Sequence, residues 1–486
     1  MNPRTAMPTS LLAACLPVLG CASTGSTQPA LTRSQPQPPR QASVRPIIAD
    51  GNTNDWPGQG DLRVIADDNH LWIRFDPADG SHAIQAAPFT TRLLVDSDNN
   101  ASTGRRIGTL GVDAMVSLSP PNGFGGIGIG SEVIIYDAAG NGDVTGHADL
   151  GFFFLPTFAS SSYEARFNRD SIDGLNAPGR ITVRVDQIEA DGTERWARQI
   201  AANLPRSASN PTGNAAFPIK PANGIRVLAQ NVLFSSPLSN PDAFDRMITA
   251  IDPDVILFQE WFNTPQIIIQ NWFNTNLGPG WTVIAPDPDE GVAIATRMPI
   301  LETVRDLIDV PGGRRNSRFV GALIDTPIGP FFGASIHLKC CGGANSTEDQ
   351  RRNAEAIAIN ATVADVLENN PDAFVTIAGD YNLVGTRTPL DIIADGLASD
   401  GTSLTPAPTI TLGDTAAVTW VDENSRFSPG RLDWAVVDET RTSILRSFTL
   451  DTRRLSKAAL QASGLQTDDS KASDHLPIVV DLVPAE

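Results

Sequence analysis

Six short stretches of this chain carry side chains that can hold a hard cation and handle a proton. Ser473-Asp474-His475 stands directly before the apolar run Leu476-Pro477-Ile478-Val479-Val480, and Gly379-Asp380-Tyr381-Asn382 closes another, Phe374 to Ala378. Asn231, Glu260 and His337 likewise follow apolar runs, and Asp433 lies within Leu432-Asp433-Trp434. Cleaving a phosphate ester calls for this inventory: carboxylate and amide oxygens around a divalent cation, and an imidazole for a proton or a growing charge. Singly, each has a plainer explanation, since Asn231 or Asp380 could end a turn, Glu260 could be solvated and His337 could be structural. Their shared place at strand ends is the informative part, because ligands of open α/β sheets gather beyond the carboxyl ends of strands.

Those positions imply the elements that must carry them. Ile225 to Asn231 reads as a strand, and Asn240-Pro241 starts a helix with the apolar stripe Phe244, Met247, Ile248 and Ile251, ended by Asp252-Pro253. Asp254 to Glu260 is the next strand, Phe331 to Ile336 leads to His337, and a helix over Ala354 to Leu367 precedes the Phe374 strand. The alternation indicates an α/β domain over 225–486.

Upstream the pattern differs. Over 45–206, Leu62–Ile65, Leu71–Phe75, Thr91–Val95, Glu132–Tyr136 and Ile181–Val185 are short β-rich runs between turn clusters, the spacing of an all-β sandwich. Asp50 to Trp56, with Tyr163 to Phe167, resembles carbohydrate-binding-type sandwich modules, which implies a glycan partner. Asp96, Asp98 and Asn100 place oxygen ligands within one turn, as a structural calcium site would, although an Asp/Asn-rich hairpin loop needs no metal. Residues 207–224, rich in Pro, Gly, Asn and Ser, read as a linker.

The first twenty residues hold one Arg and a short apolar segment, Leu11 to Leu19, followed by Gly20-Cys21. This resembles a bacterial lipoprotein signal over 1–20, with Cys21 lipidated and 21–44, poor in large apolar residues, a disordered tether. Cys15 also fits the lipidation pattern but follows too short an apolar segment, and an ordinary secretory signal is the alternative. The expectation is an exported protein, anchored by lipid in the cell envelope. Cys340 and Cys341 are then the remaining thiols, expected to be buried, with redox or soft-metal roles as alternatives.

The five motifs ending in Asn231, Gln259-Glu260, Ile336-His337-Leu338, Gly379-Asp380-Tyr381-Asn382 and Ser473-Asp474-His475 occur in the order of the endonuclease/exonuclease/phosphatase superfamily, which the chain resembles from about Ile225 to Val483. The resemblance implies two packed mixed sheets flanked by helices, a four-layer α/β sandwich, and hydrolysis of a phosphoester with magnesium or manganese. By motif, Glu260 is the main metal ligand, with Asn231 and Asp474 on or near the ion. Asp380 would deprotonate the attacking water, Asn382 would position it, His475 oriented by Asp433 would bond the scissile phosphate, and His337 would be the acid for the leaving oxygen. Arg318 resembles the phosphate-clamping arginine, with Arg314 and Arg315 close by.

Composition bounds the substrate. From Ile225 onward Lys and Arg number 19 against 34 Asp and Glu, a net −15, which opposes tight binding of long nucleic acid. It leaves nuclease chemistry open, because bound cations invert the local field. A phospholipid head group is a rival substrate, suggested by the anchor and by Trp261-Phe262, Trp272-Phe273 and Trp281; Trp272-Phe273, with Ile267 to Ile269, fits a core-facing helix better. Small phosphates are a further option, and a catalytically silent, glycan-binding envelope protein is the reading from another class. A monomeric phosphodiesterase or nuclease is the expectation carried forward.

Overall fold

The computed structural model describes residues 47–205, 216–306, 308–310 and 316–485. The expected signal, Cys21 and the tether lie outside the described residues, as do 206–215 of the expected linker and the pair Arg314 and Arg315. The described residues belong to one compact unit.

Two large antiparallel sheets and a two-stranded ribbon, Arg105–Ile107 with Leu110–Val112, occupy the part before the linker. The first runs Leu62–Ala66, His70–Phe75, Tyr163–Asn168, Phe153–Leu155, and the second Glu194–Leu204, Gly179–Ile188, Thr90–Asp96, Ala114–Leu118, Ser131–Tyr136, Gly142–Thr145. Ile73, Phe75, Tyr163 and Phe167 of one sheet share a single buried cluster with Leu93, Val95, Val116, Val183 and Val185 of the other. The period of two explains the choice: Val183 and Val185 enter that cluster, while Arg184 and Asp186 pair with each other at 3.0 Å on the opposite face.

Beyond the linker lie two mixed sheets. One has the order Thr282–Ile284, Ala293–Thr296, Val255–Gln259, Ile225–Asn231, Ile478–Pro484, Thr442–Thr449, Ile410–Thr411, and the other Ile300–Val304, Arg318–Thr326, Gly329–His337, Phe374–Asp380, Asp433–Val437, Thr405–Pro406. Val227, Val255, Ile478 and Val480 of the first meet Val320, Phe331, Phe374 and Ala435 of the second in one cluster between the sheets. Leu228, Ile256 and Val479, one residue out of phase, face the helices Pro241–Ile251, Gln266–Asn276 and Lys457–Ser463. Phe332, Ala334, Val375 and Val436 face Thr347–Asn369 and Thr388–Ala394. The strands are therefore apolar on both faces, which is why they read as continuous hydrophobic runs.

The helix expected from Pro241 carries its stripe of Phe244, Met247, Ile248 and Ile251 into the core and ends at Asp252, whose φ is +48°. The helix expected over 354–367 is longer, Thr347–Asn369, because Ser346 caps it by accepting from Asp349 N. Its first turns lack apolar residues, yet Asp349 and Arg352 are buried as a pair 3.0 Å apart. In Gln266–Asn276, Ile269, Trp272 and Phe273 are buried and Ile267 and Ile268 are exposed. Trp261 and Trp281 are also in the core, so these indoles form no outward apolar face.

Candidate active site

Strand register assembles the site. Arg318 stands opposite His337, His337 opposite Asp380, and Asp380 opposite Asp433, so one row crosses four neighbouring strands. In the facing sheet Asn231 stands opposite Gln259, the residue before Glu260. Two structural demands keep these ends in place. Gly379 has φ +148°, and a Cβ there would lie 2.1 Å from the Ile336 carbonyl oxygen. Glu260 adopts a left-handed φ of +66°, rare for a side chain of this size. Its carboxylate is held where the strand stops: Oε1 accepts from Asn231 Nδ2 at 3.1 Å and Oε2 from Phe234 N at 3.1 Å.

Asn231 joins the two sheets, since Nδ2 also lies 3.3 Å from Asp380 Oδ2. Its oxygen faces away, accepting from Leu233 N at 3.0 Å, so in this orientation it bridges two carboxylates through its amide hydrogens; offering oxygen to an ion would require the amide to turn over. His337 Nε2 is 3.5 Å from Asp380 Oδ2 and 3.9 Å from Glu260 Oε1. Ligand atoms of Glu260, His337 and Asp380 all fall within 4.8 Å of one another, as do those of Asp380, Asp433 and His475. His475 Nδ1 is 2.8 Å from Asp433 Oδ2, and its Nε2 is 3.7 Å from Asp380 Oδ2. Asn382, at φ +51°, donates its side-chain amide to Leu338 O at 3.1 Å, and its N–H meets Asp380 Oδ1 at 2.9 Å. Arg318 lies over the Phe262 ring, 4.8 Å from its centroid, and that ring is 5.8 Å from His337.

Asp474 belongs to neither three-residue group. Its Oδ2 accepts from Trp420 Nε1 at 3.0 Å, and its buried Oδ1 has no protein partner. Trp420 was not legible as a site residue: it sits in a long segment without periodicity between strands. Thr419 is the second such residue, its Oγ1 accepting the N–H of both Leu432 and Asp433. Cys340 is half-buried and Cys341 exposed, with sulfurs 2.8 Å apart, which corrects the expectation of buried thiols. In the earlier part of the chain carboxylate oxygens of Asp96, Asp98 and Asp113 lie within 4.8 Å of one another. Asn100 instead gives its N–H to both carboxylates, and Asp113 was missed because it arrives from a different strand connection.

Burial sets the charges. It removes solvent from Asp380 and, with Asp433 and Glu260 nearby, pushes that carboxyl up to about 8. Burial alone would lower His475, but Asp433 and Asp380 outweigh it and raise the imidazole to about 10. His337 goes the other way: burial first, then the positive charges of Arg318, His475 and Lys339, hold it well below the ordinary histidine value. His337 therefore favours the neutral imidazole, with one N–H, and its role as the leaving-group acid stays a proposal. His475 carries the extra proton.

The donor set suits a hard divalent cation. Two carboxylates and an imidazole converge within 4.8 Å, with the Asn231 amide between the carboxylates. A family model for the endonuclease/exonuclease/phosphatase family matches residues 228–475. No curated protein matches the chain. Similar solved structures include beta toxin of Staphylococcus aureus, at 15% identity over 53% of this chain and 99% of that chain with a TM-score of 0.37. Sphingomyelinase C of Streptomyces griseocarneus is 14% identical over 54% of this chain and 99% of that chain, with a TM-score of 0.37. The 3′–5′ exonuclease of Neisseria meningitidis is 14% identical over 53% of this chain and 100% of that chain, again at 0.37.

Proposed function

Since the chain belongs to the endonuclease/exonuclease/phosphatase family, we propose that it hydrolyses phosphoesters, diesters in preference to monoesters, with a divalent cation, magnesium before manganese. The observation that carries this reading is the convergence of Glu260, His337, Asp380, Asp433 and His475 in two three-residue groups that share Asp380, from five strand ends spread over 216 positions of sequence.

Glu260 and Asp380 would hold the ion, which when bound supplies a positive charge to a phosphoryl oxygen and favours ionisation of water. The remaining work falls to the chain. His475, kept protonated by the carboxylates on both sides, donates a hydrogen bond from Nε2 to a phosphate oxygen and offsets charge as it grows there. Asp433 fixes the ring through Nδ1, leaving Nε2 as the donor. Asp380 accepts the proton of the attacking water. Arg318 can reach a second phosphate oxygen from the row it shares with His337. Neutral His337 orients the carboxylates, and Asn382, committed to the Leu338 carbonyl, stiffens the turn after Asp380. Asp474 takes a supporting place through Trp420, which pairs with His475 in a β-bridge.

The reading is tested by magnesium-dependent release of product from bis-p-nitrophenyl phosphate, with Glu260→Ala and His475→Ala as controls. Unchanged turnover in both variants would remove it. Plasmid DNA, RNA, sphingomyelin and inositol phosphates assayed side by side would assign the ester. Export and lipid attachment at Cys21 belong to the same proposal and rest on the segment around Gly20; Cys21→Ser should release the protein from membranes. A calcium ion at Asp96, Asp98 and Asp113 also belongs to it, tested by a calcium-dependent rise in Tm that Asp113→Asn removes.

A further inference from the structure

The match to the family begins at residue 228, yet two of the site's loops are held by residues far upstream. Thr157 Oγ1 lies 2.7 Å from the carbonyl oxygen of Leu383 and 3.1 Å from that of Arg431. One hydroxyl thus ties the segment leaving Asp380 and Asn382 to the segment entering Asp433. Two residues on, Ala159 N donates to Gly385 O at 2.8 Å. The fit allows no slack, since a Cβ on Gly430 would stand 2.3 Å from Thr157 Cγ2.

The same upstream sheets grip the rest of that second segment. Ala417 N donates to Ala49 O at 2.7 Å and Ser131 N to Arg426 O at 2.7 Å, while Ser428 N reaches Gln85 Oε1 at 2.9 Å. Buried Arg166 pairs with Asp414 through both guanidinium ends. Trp56, Trp72 and Phe153 share a hydrophobic cluster with Ala416, Ala417 and Val418. A flexible spacer or an independently tumbling glycan-binding module would not bury such a seam. What is gripped also touches the chemistry: Thr419 holds the Asp433 and Leu432 amides, and Trp420 holds Asp474.

We propose that residues 47–205 are a working part of the phosphoesterase site, and that Thr157 is the positioning residue through which they set the Asp433–His475 pair against Asp380. This rests on the phosphoesterase reading above. The geometry gives the reason for a kinetic rather than a purely stabilising role: Asp380 and Asp433 stand opposite each other at the ends of adjoining strands, and the loops that continue from those ends meet at Thr157. A displacement of a fraction of an ångström there alters the 3.7 Å separation of Asp380 from His475.

The test uses the full chain. Thr157→Val keeps shape and removes the hydroxyl, and Thr157→Ser keeps the hydroxyl. With bis-p-nitrophenyl phosphate and magnesium, Thr157→Val is expected to lower kcat about tenfold, the scale of one lost hydrogen bond, with KM within about twofold, and Thr157→Ser to restore most of it. Hydrogen exchange at amides 383–385 and 430–433 should quicken in Thr157→Val at nearly unchanged Tm. Wild-type kcat and wild-type exchange in that variant overturn the proposal, as does a loss of kcat that Thr157→Ser fails to restore. If Thr157→Val does not fold, Gln85→Leu, which removes the acceptor of Ser428 N, should show the same pattern at about threefold, and its absence is equally fatal. A wild-type chain without turnover would instead defeat the phosphoesterase reading, and the exchange data would still decide whether Thr157 holds both loops.

Discussion

Asp433 Oδ2 stands 2.8 Å from Nδ1 of His475, with both groups buried. The imidazole is therefore held as a cation between Asp433 and Asp380, raised to about 10. Because the raised value keeps His475 protonated through neutral pH, its donor function should persist as pH rises and fail only as pH approaches about 10.

Replacing Asp433 with Asn removes the larger of the two attractions. The alkaline limb of kcat should move to lower pH and kcat should fall about 100-fold or more, as happens when an imidazole loses the carboxylate that orients it. A pH–rate profile checks this, and an alkaline limb left in place in Asp433→Asn would show that the pair does not set the proton.

Glu260→Gln keeps the size of the side chain but withdraws one of the two carboxylates around the proposed ion. Magnesium binding measured by titration calorimetry should weaken at least tenfold, and turnover should drop with it. Treatment with EDTA should abolish turnover and added magnesium should restore it. Activity that survives EDTA would count against the cation.

Gly379→Ala should be disruptive although it adds one methyl group. The residue has φ +148°, and the new Cβ would meet the backbone oxygen of Ile336 at 2.1 Å, which no side-chain movement relieves. A loss of about 3 kcal/mol in urea unfolding, or failure to fold, is expected. An unchanged midpoint would mean that the His337 and Asp380 strands are not in this register.

Asp414 tests the seam between the upstream sheets and the catalytic segment. Burial alone would raise its carboxyl, but Arg166 and Arg454 outweigh this and bring it down to about 2. A depressed carboxylate stabilises the fold above its unfolded value of 3.8 and loses that contribution as pH falls toward 2. Asp414→Asn should cost about 3 kcal/mol at pH 7, since it leaves the Arg166 guanidinium buried and unpaired, and should flatten the acid limb of stability between pH 4 and 2. Denaturation followed across pH checks both; an acid limb as steep as the wild type's would contradict the pairing.

Much of the scaffold was legible beforehand because it depends on local pattern. A strand buried on both faces must be apolar throughout, so Ile225 to Ala229 and Phe374 to Ala378 announce themselves. A helix opened by Asn240-Pro241 with apolar residues three and four apart has few alternatives. The helix from Thr347 was read short because its first turns are charged, and only the tertiary pairing of Asp349 with Arg352 makes those turns buriable.

The site divides along the same line. Residue type and position at strand ends were enough to name Asn231, Glu260, His337, Asp380, Asp433 and His475, since a polar side chain closing an apolar strand is a local fact. Which histidine keeps a proton was not local: His337 and His475 are both buried, and the difference lies in whether carboxylates or cations surround them. Nor could spacing reveal that Thr157 reaches Leu383 and Arg431 across more than 220 residues, or that Trp420 takes hold of Asp474. Charge state and loop position depend on distances through space, which fall off within a few ångströms. The chain's order alone determined the chemistry available to this protein, and only its folding decided which groups are close enough to carry it out.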